Sequence, residues 1–191
     1  MSNDEVGEYY TAERWQNWLD RLREEDLDAD EEESARLLLN LQDDTAIAVA
    51  KILTDYEDET IDVDRAMAEL SDIREVVMEP VEFDDEETAM LLDGVQTSLV
   101  AVLYAAQEFV AEGPAEEGTV GEYIEAAAEA ERAEEVEDAL GYCVQAGTLV
   151  IDGESLDLDL AEELEFGLVA EWVNGLDSLQ TALAEPEFVE E

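Results

Sequence analysis

An all-α fold is what this 191-residue sequence predicts: a helical bundle of about six to seven helices with a small C-terminal β-hairpin. Three observations lead there. Apolar residues recur at i, i+3, i+4 and i+7 through most of the chain, which gathers them on one face of a helix. Capping residues and a Gly-Pro stop cut that pattern into helix-length pieces. Finally, Asp152-Gly153 stands between the short apolar run Thr148–Ile151 and Leu156, as in a tight hairpin.

Taken in order, Thr11 caps a first helix reaching about Glu25, with Trp15, Trp18, Leu19 and Leu22 on one face. The acidic stretch Asp26–Glu33 leads into a second helix. Its stripe is Leu37, Leu38, Leu41, Thr45, Ala48 and Ile52, widened by Leu39, Ile47 and Val49. Asp62 caps a third, with Val63, Ala66, Met67, Leu70, Ile73 and Val77 inward, and Pro80 stops it. A fourth starts near Asp84 or Asp85, runs to about Ala111 and ends at Gly113-Pro114. Gly118 and Gly121 make the next stretch the best internal boundary. The expected organisation is a helical bundle over 1–112 and a C-terminal helical lobe with the hairpin over 118–191, packed as one unit. Within that lobe Val120–Ala146 is helical, with a break near Arg132. A last helix covers Leu160–Leu183, with Leu164, Leu168, Trp172, Leu176, Leu179 and Leu183 inward. Glu32–Leu38 and Glu86–Leu92 echo one another at a spacing of 54, and Gln42 matches Gln96 at the same offset. Two amphipathic helices of biased composition, each with an acidic first turn, explain that echo better than a duplicated hairpin does.

The charge balance is unusual. Fifty-six Asp and Glu stand against eight Lys and Arg, for a net charge of -48. High charge signals disorder only when hydrophobicity is low, and 47% hydrophobic residues can bury a core. The remaining reading is a protein adapted to concentrated salt, where at about 1 M the Debye length shrinks to roughly 3 Å. Lys51 is the only lysine, which fits an acid-rich halophile. The lone Cys143 forms no internal disulfide, and Met1–Glu5 has neither the positive nor the apolar region of a secretory signal. No run of about 18 apolar residues is present, and so much negative charge opposes anionic lipid. A cytoplasmic location is expected.

The residue inventory narrows the chemistry. There is no histidine, which removes imidazole-activated nucleophiles and the usual zinc and di-iron sites. All-carboxylate magnesium or calcium sites remain open, through pairs such as Glu122/Glu125 or Glu135/Asp138. With so many acids, however, chance alone supplies about 16 acidic i,i+3 pairs, so none of these pairs is informative. Asp26-x-Asp28-x-Asp30 imitates the start of an EF-hand loop, but Glu31 replaces its glycine and Leu37 its closing glutamate. Glycines are too scattered to cradle a phosphate. Lys51 reads as a snorkelling side chain paired with Asp55 rather than a Schiff-base lysine, and Cys143 as a small core residue.

A helix ending at Ala146-Gly147 and followed by a hairpin has the outline of a winged-helix lobe. Its recognition helix would carry Glu134, Glu135, Glu137 and Asp138, which suits protein better than DNA. A plain helix capped by Gly147 with an edge hairpin is the simpler account. Trp15 and Trp18, preceded by Tyr9 and Tyr10, form an aromatic cluster that either docks the first helix on its own core or anchors a partner.

Three runs, Tyr10–Leu19, Ala35–Asp44 and Leu91–Ala101, resemble an uncharacterised archaeal family, prominent in haloarchaea and known only as a domain of unknown function. The resemblance covers most of the chain and implies an archaeal cytoplasmic setting. It implies no activity and no functional residue.

These readings together predict a halophilic, non-enzymatic protein-interaction or regulatory module that binds a protein partner or itself. No cofactor, nucleic acid or membrane is expected, and solvent potassium and sodium associate non-specifically. No residue is assigned a catalytic, cofactor-binding or metal role; Trp15, Trp18 and Trp172 are the candidate partner-binding residues. Two alternatives stay open. One is a magnesium-dependent all-α carboxylate hydrolase resembling nucleotide pyrophosphohydrolases, which needs acids from at least two helices to converge. The other is a winged-helix transcriptional regulator.

Overall fold

The computed structural model describes residues 10–25, 30–164 and 167–184. Its elements are α1 (Ala12–Glu24), α2 (Glu32–Glu57), α3 (Val63–Val77), α4 (Glu86–Glu112), α5 (Val120–Arg132), α6 (Val136–Ile151), α7 (Leu158–Glu163) and α8 (Leu168–Ala184). The starts follow the capping chemistry. Thr11 accepts from Arg14 N (3.0 Å), Asp62 from Arg65 N (2.8 Å) and Asp85 from Thr88 N (3.3 Å). Thr119 and Glu122 form a reciprocal capping box at the head of α5. Gly113, at φ 86°, ends α4 in a conformation that a side chain disfavours.

The long helices α2, α4, α6 and α8 run in the same sense. Gln42 of α2, Ser98 of α4 and Ser178 of α8 meet in one hydrogen-bonded layer. Towards the far end Tyr56 reaches the Val110 carbonyl, and Thr54 and Glu57 share a cavity with Val150, Ile151, Gln180, Thr181, Leu183 and Ala184. Parallel neighbours need return segments, which α3, α5 and α7 supply. α4 touches α2, α3, α6 and α8, and one continuous apolar cluster runs from Trp15 to Leu179. By length and composition α4 could cross a membrane, yet half of its most apolar window is buried inside the fold.

The central crossings depend on small residues. A Cβ at Gly175 would collide with the Ser98 carbonyl, and one at Gly147 with Ala105 and Leu176. Glycine inside a helix costs roughly 1 kcal/mol relative to alanine. Here that loss is offset by backbones packed closer than any side chain allows.

The expected β-hairpin is not there: among the described residues no strand is formed, and Thr148–Ile151 is the last turn of α6. Residues 146 to 151 are all buried. The helical penalty of β-branched residues is at most about 0.7 kcal/mol each. Burying a Val, Leu or Ile side chain is worth about 1.5–3 kcal/mol, so packing overrides local preference. Asp152-Gly153 is the helix stop instead of a hairpin turn. Gly153 has φ 110°, donates to Val150 O (3.1 Å), and Glu154 N donates to Leu149 O (2.9 Å), a Schellman ending. Gly147 lies inside α6 rather than capping it. Without a hairpin there is no wing, and the winged-helix outline falls with it.

Two further boundaries differ in detail. The break near Arg132 sits at Ala133–Glu135, where Glu134 adopts φ 63°. The last helix is divided into α7 and α8, and Glu131 of α5 accepts from Val169 N (3.0 Å), capping α8 from outside. The EF-hand-like run falls mostly on residues 26–29, outside the described residues.

Candidate functional site

The first turns of α2 and α4 leave an open groove between them, closed at one side by α8. Ser34, Ala35, Leu38, Leu39 and Gln42 form one wall; Met90, Leu91, Gly94 and Val95 form the other; Glu171 and Asn174 stand at the α8 edge. Its volume is about 770 Å³. Leu39 is 47% exposed and Met90 65%, large apolar side chains left in water on opposite rims. The groove falls on the 54-residue echo, since α2 and α4 begin at Glu32 and Glu86. Gln42 and Gln96 are nonetheless not equivalent, as Gln96 donates to Val77 O (2.8 Å) on α3.

The floor is polar but satisfied. Gln42 Nε2 donates to Ser178 Oγ (2.8 Å), and its Oε1 accepts from Ser98 Oγ (2.8 Å). Such a network holds three helices in one register and leaves no buried amide unmatched. Glu171 is the one charged residue of the lining. It keeps solvent access, but the surrounding apolar walls push its carboxyl pKa above the ordinary glutamate value. A carboxylate oxygen of Glu171 lies 3.8 Å from where a Gly94 Cβ would stand. Gly94 therefore faces open groove, unlike Gly147 and Gly175, whose glycines are demanded by packing.

The predicted partner-binding residues lie elsewhere. Trp15 and Trp172 are 1% and 4% exposed, so either would have to leave the core to meet a partner. Trp18 is half-buried; its Nε1 donates to Asp44 Oδ2 (3.0 Å), and Arg21 lies 4.8 Å over its ring. Lys51 is half-buried on α2. Cys143 is buried in α6, and burial followed by the charge of Glu131 pushes its thiol up to about 12, where it is inert. Of the proposed carboxylate pairs, Glu122 is occupied as a cap, while Glu125, Glu135 and Asp138 are exposed. Among the described residues no group of three or more Asp, Glu, Cys or His is placed to hold a metal ion. Acids of two helices do approach one another, since Asp43 of α2 feels the charge of Asp177 of α8, but no third ligand joins them among those residues.

The groove itself was missed, although a signal existed. Leu39 beside Leu38, and Met90 beside Leu91, widen their stripes beyond what one packed face can cover.

Fold and groove define an all-helical protein, as far as its described residues go, with an open apolar cleft between α2 and α4. Its residues 8–191 match the family described as "Uncharacterized protein conserved in archaea (DUF2150)", and the chain belongs to that family. No curated protein and no solved structure matches it.

Proposed function

We propose that this is a cytoplasmic protein-interaction module whose α2/α4/α8 groove receives a short amphipathic helix. The observation that carries this reading is the pair Leu39 and Met90, exposed on both rims of a cleft lined mainly by apolar residues. Groove residues 35–42 span about 10 Å of helix, enough for two turns of a partner. Helix-in-groove recognition places apolar anchors at i and i+3 or i+4. The lining has one negative charge and no cation, so the fitting occupant carries Lys or Arg among its anchors. That cation would recover the solvation Glu171 loses in the groove.

A photo-crosslinking residue at position 90, activated in molar potassium chloride, tests this. Crosslinks should map to a helical segment with a Lys or Arg within one turn of the attachment point, and Leu39→Asp should remove them. Crosslinks no stronger than those from exposed Tyr142, on α6, would defeat the proposal.

A further inference from the structure

We propose that Gly94 is the crossing point of the helix seated in this groove, which carries Gly, Ala or Ser against it and Lys or Arg three or four residues further on. This rests on the groove being a helix-binding site. Gly94 stands on the α4 wall one turn beyond Met90 and Leu91, with Val95 beside it. A glycine inside a helix lacks the helix-forming preference of alanine, and its use there is to let another backbone come close. The two crossing glycines of this fold have that reason: Ser98 of α4 occupies the space at Gly175, and Ala105 and Leu176 occupy it at Gly147. At Gly94 a Cβ would meet only Glu171 Oε2, at 3.8 Å, so the neighbouring backbone is missing. Gly141 of α6 is as open, but it lies outside the groove's lining and has no apolar rims around it.

The glycine sets how near the docked helix can come. Packed helices lie about 8–10 Å apart axis to axis, and small residues at the contact give the short end of that range. Ala35, exposed on the α2 wall, keeps the facing side low as well, while Leu39 and Met90 rise as apolar rims. A bulky residue opposite Gly94 would hold the helix off the floor and leave both rims in water. A small one lets it sit between them. Helical side chains lean toward their own N-terminus, so the residue three or four positions after the crossing covers the surface around it. That surface holds Glu171, the groove's single charge, whose carboxyl pKa burial pushes up. A Lys or Arg at that position pairs with the carboxylate through charge-assisted hydrogen bonds, and partial burial shields the pair from the screening that molar salt imposes on exposed charges.

A display library of helical peptides with randomised groove-facing positions, selected on the full chain in molar potassium chloride, tests this. Enriched sequences should share Gly, Ala or Ser followed three or four residues later by Lys or Arg. The best peptide should bind Gly94→Ala about fivefold more weakly and Gly94→Leu not measurably, with far-UV spectra confirming that both chains fold. Glu171→Gln should weaken it by about tenfold. Gly94→Ala should at the same time raise the melting temperature by about 2 °C, because alanine favours the helix. A glycine with only a structural role would not move stability and binding in opposite directions. Gly141→Ala, at an open glycine outside the groove, should leave binding unchanged. Enriched peptides that are bulky at every groove-facing position, or equal binding to Gly94→Leu and wild type, overturn the inference and leave the groove reading intact. A library that enriches nothing beyond what the Leu39→Asp chain retains defeats both.

Discussion

The N-terminal helix and the α4/α6/α8 centre are held to the molecule by opposite means. α1 buries Trp15, Leu19 and Leu22 and is otherwise secured by arginines. Arg14 pairs with Asp44 through Nε (2.7 Å) and Nη2, and Asp44 also takes the Trp18 indole. Arg14 lies over Tyr10, Arg21 over Trp18 and Arg23 over Phe83. Residues 113–191 contain a single cation, Arg132, and rely on close backbone approach at Gly147 and Gly175. There the acids serve as caps: Glu131 accepts from Val169 N, Glu154 from Val120 N (2.7 Å), and Glu122 from Thr119 N (3.1 Å). An acid-rich chain can therefore spend carboxylates on orphan helix amides, where no cation is needed. Three of its seven arginines lie on the peripheral α1, where stacking on rings adds to charge pairing.

The largest effect expected on this contrast is that of salt. Dilution from molar to millimolar potassium chloride should unfold the chain, and amide exchange should show α5–α8 losing protection at higher salt than α1–α3, because their acids have fewer cations among them. A far-UV spectrum unchanged by dilution would contradict the reading of the acidity as adaptation to concentrated salt. Next comes Gly175→Ala, which drives a methyl into the Ser98 carbonyl. It should cost about 3 kcal/mol and lower the melting temperature by roughly 10 °C. Asp44→Ala returns the exposed Arg14 guanidinium to water and leaves the half-buried Trp18 N–H without its acceptor, at about 1 kcal/mol. Its signature is regional: exchange should accelerate in α1 while α4, α6 and α8 stay protected. Equal acceleration everywhere would show that α1 is not an independently attached element.

Acidity provides a smaller test. Burial raises the carboxyl pKa of Asp43, Glu57, Glu171 and Asp177 in the folded chain. Between the ordinary carboxyl pKa and these raised values the folded state holds more protons than the unfolded one. Stability therefore rises as pH falls through the window just above the ordinary 3.8 of Asp and 4.5 of Glu. These groups are partly solvated, so the gain in melting temperature in molar salt should be no more than about 2 °C. A melting temperature that drops on mild acidification would refute the assigned direction. Smallest of all is Gly94→Ala, which meets nothing closer than a carboxylate at 3.8 Å and should stabilise α4 by about 0.5–1 kcal/mol.

Much of the fold was legible one helix at a time. Thr11, Asp62 and Asp85 announce helix starts because an oxygen at that position meets an amide three residues on, a purely local event. The stripe Leu37, Leu38, Leu41, Thr45, Ala48, Ile52 is the buried face of α2, and Cys143 packs in the core as its neighbours implied. The error at Thr148–Ile151 has a definite source. Four β-branched or apolar residues before Asp-Gly suit a strand locally, and only the walls around them, including Ala105 and Leu176 beside Gly147, make a helix the better burial. The α7/α8 division was equally hidden, since the cap on α8 comes from Glu131, 38 residues away.

The sequence by itself determined that the chain is helical, where most helices begin, which faces are apolar, and that no imidazole chemistry is available. Those are properties of residues within a few positions of one another. Tertiary structure alone decided that α2, α4, α6 and α8 run the same way, that Gly147 and Gly175 sit at crossings, and that Leu39, Met90 and Glu171 share one open groove. Each of these depends on which helices become neighbours, and an amphipathic stripe specifies how much surface must be covered without specifying by what.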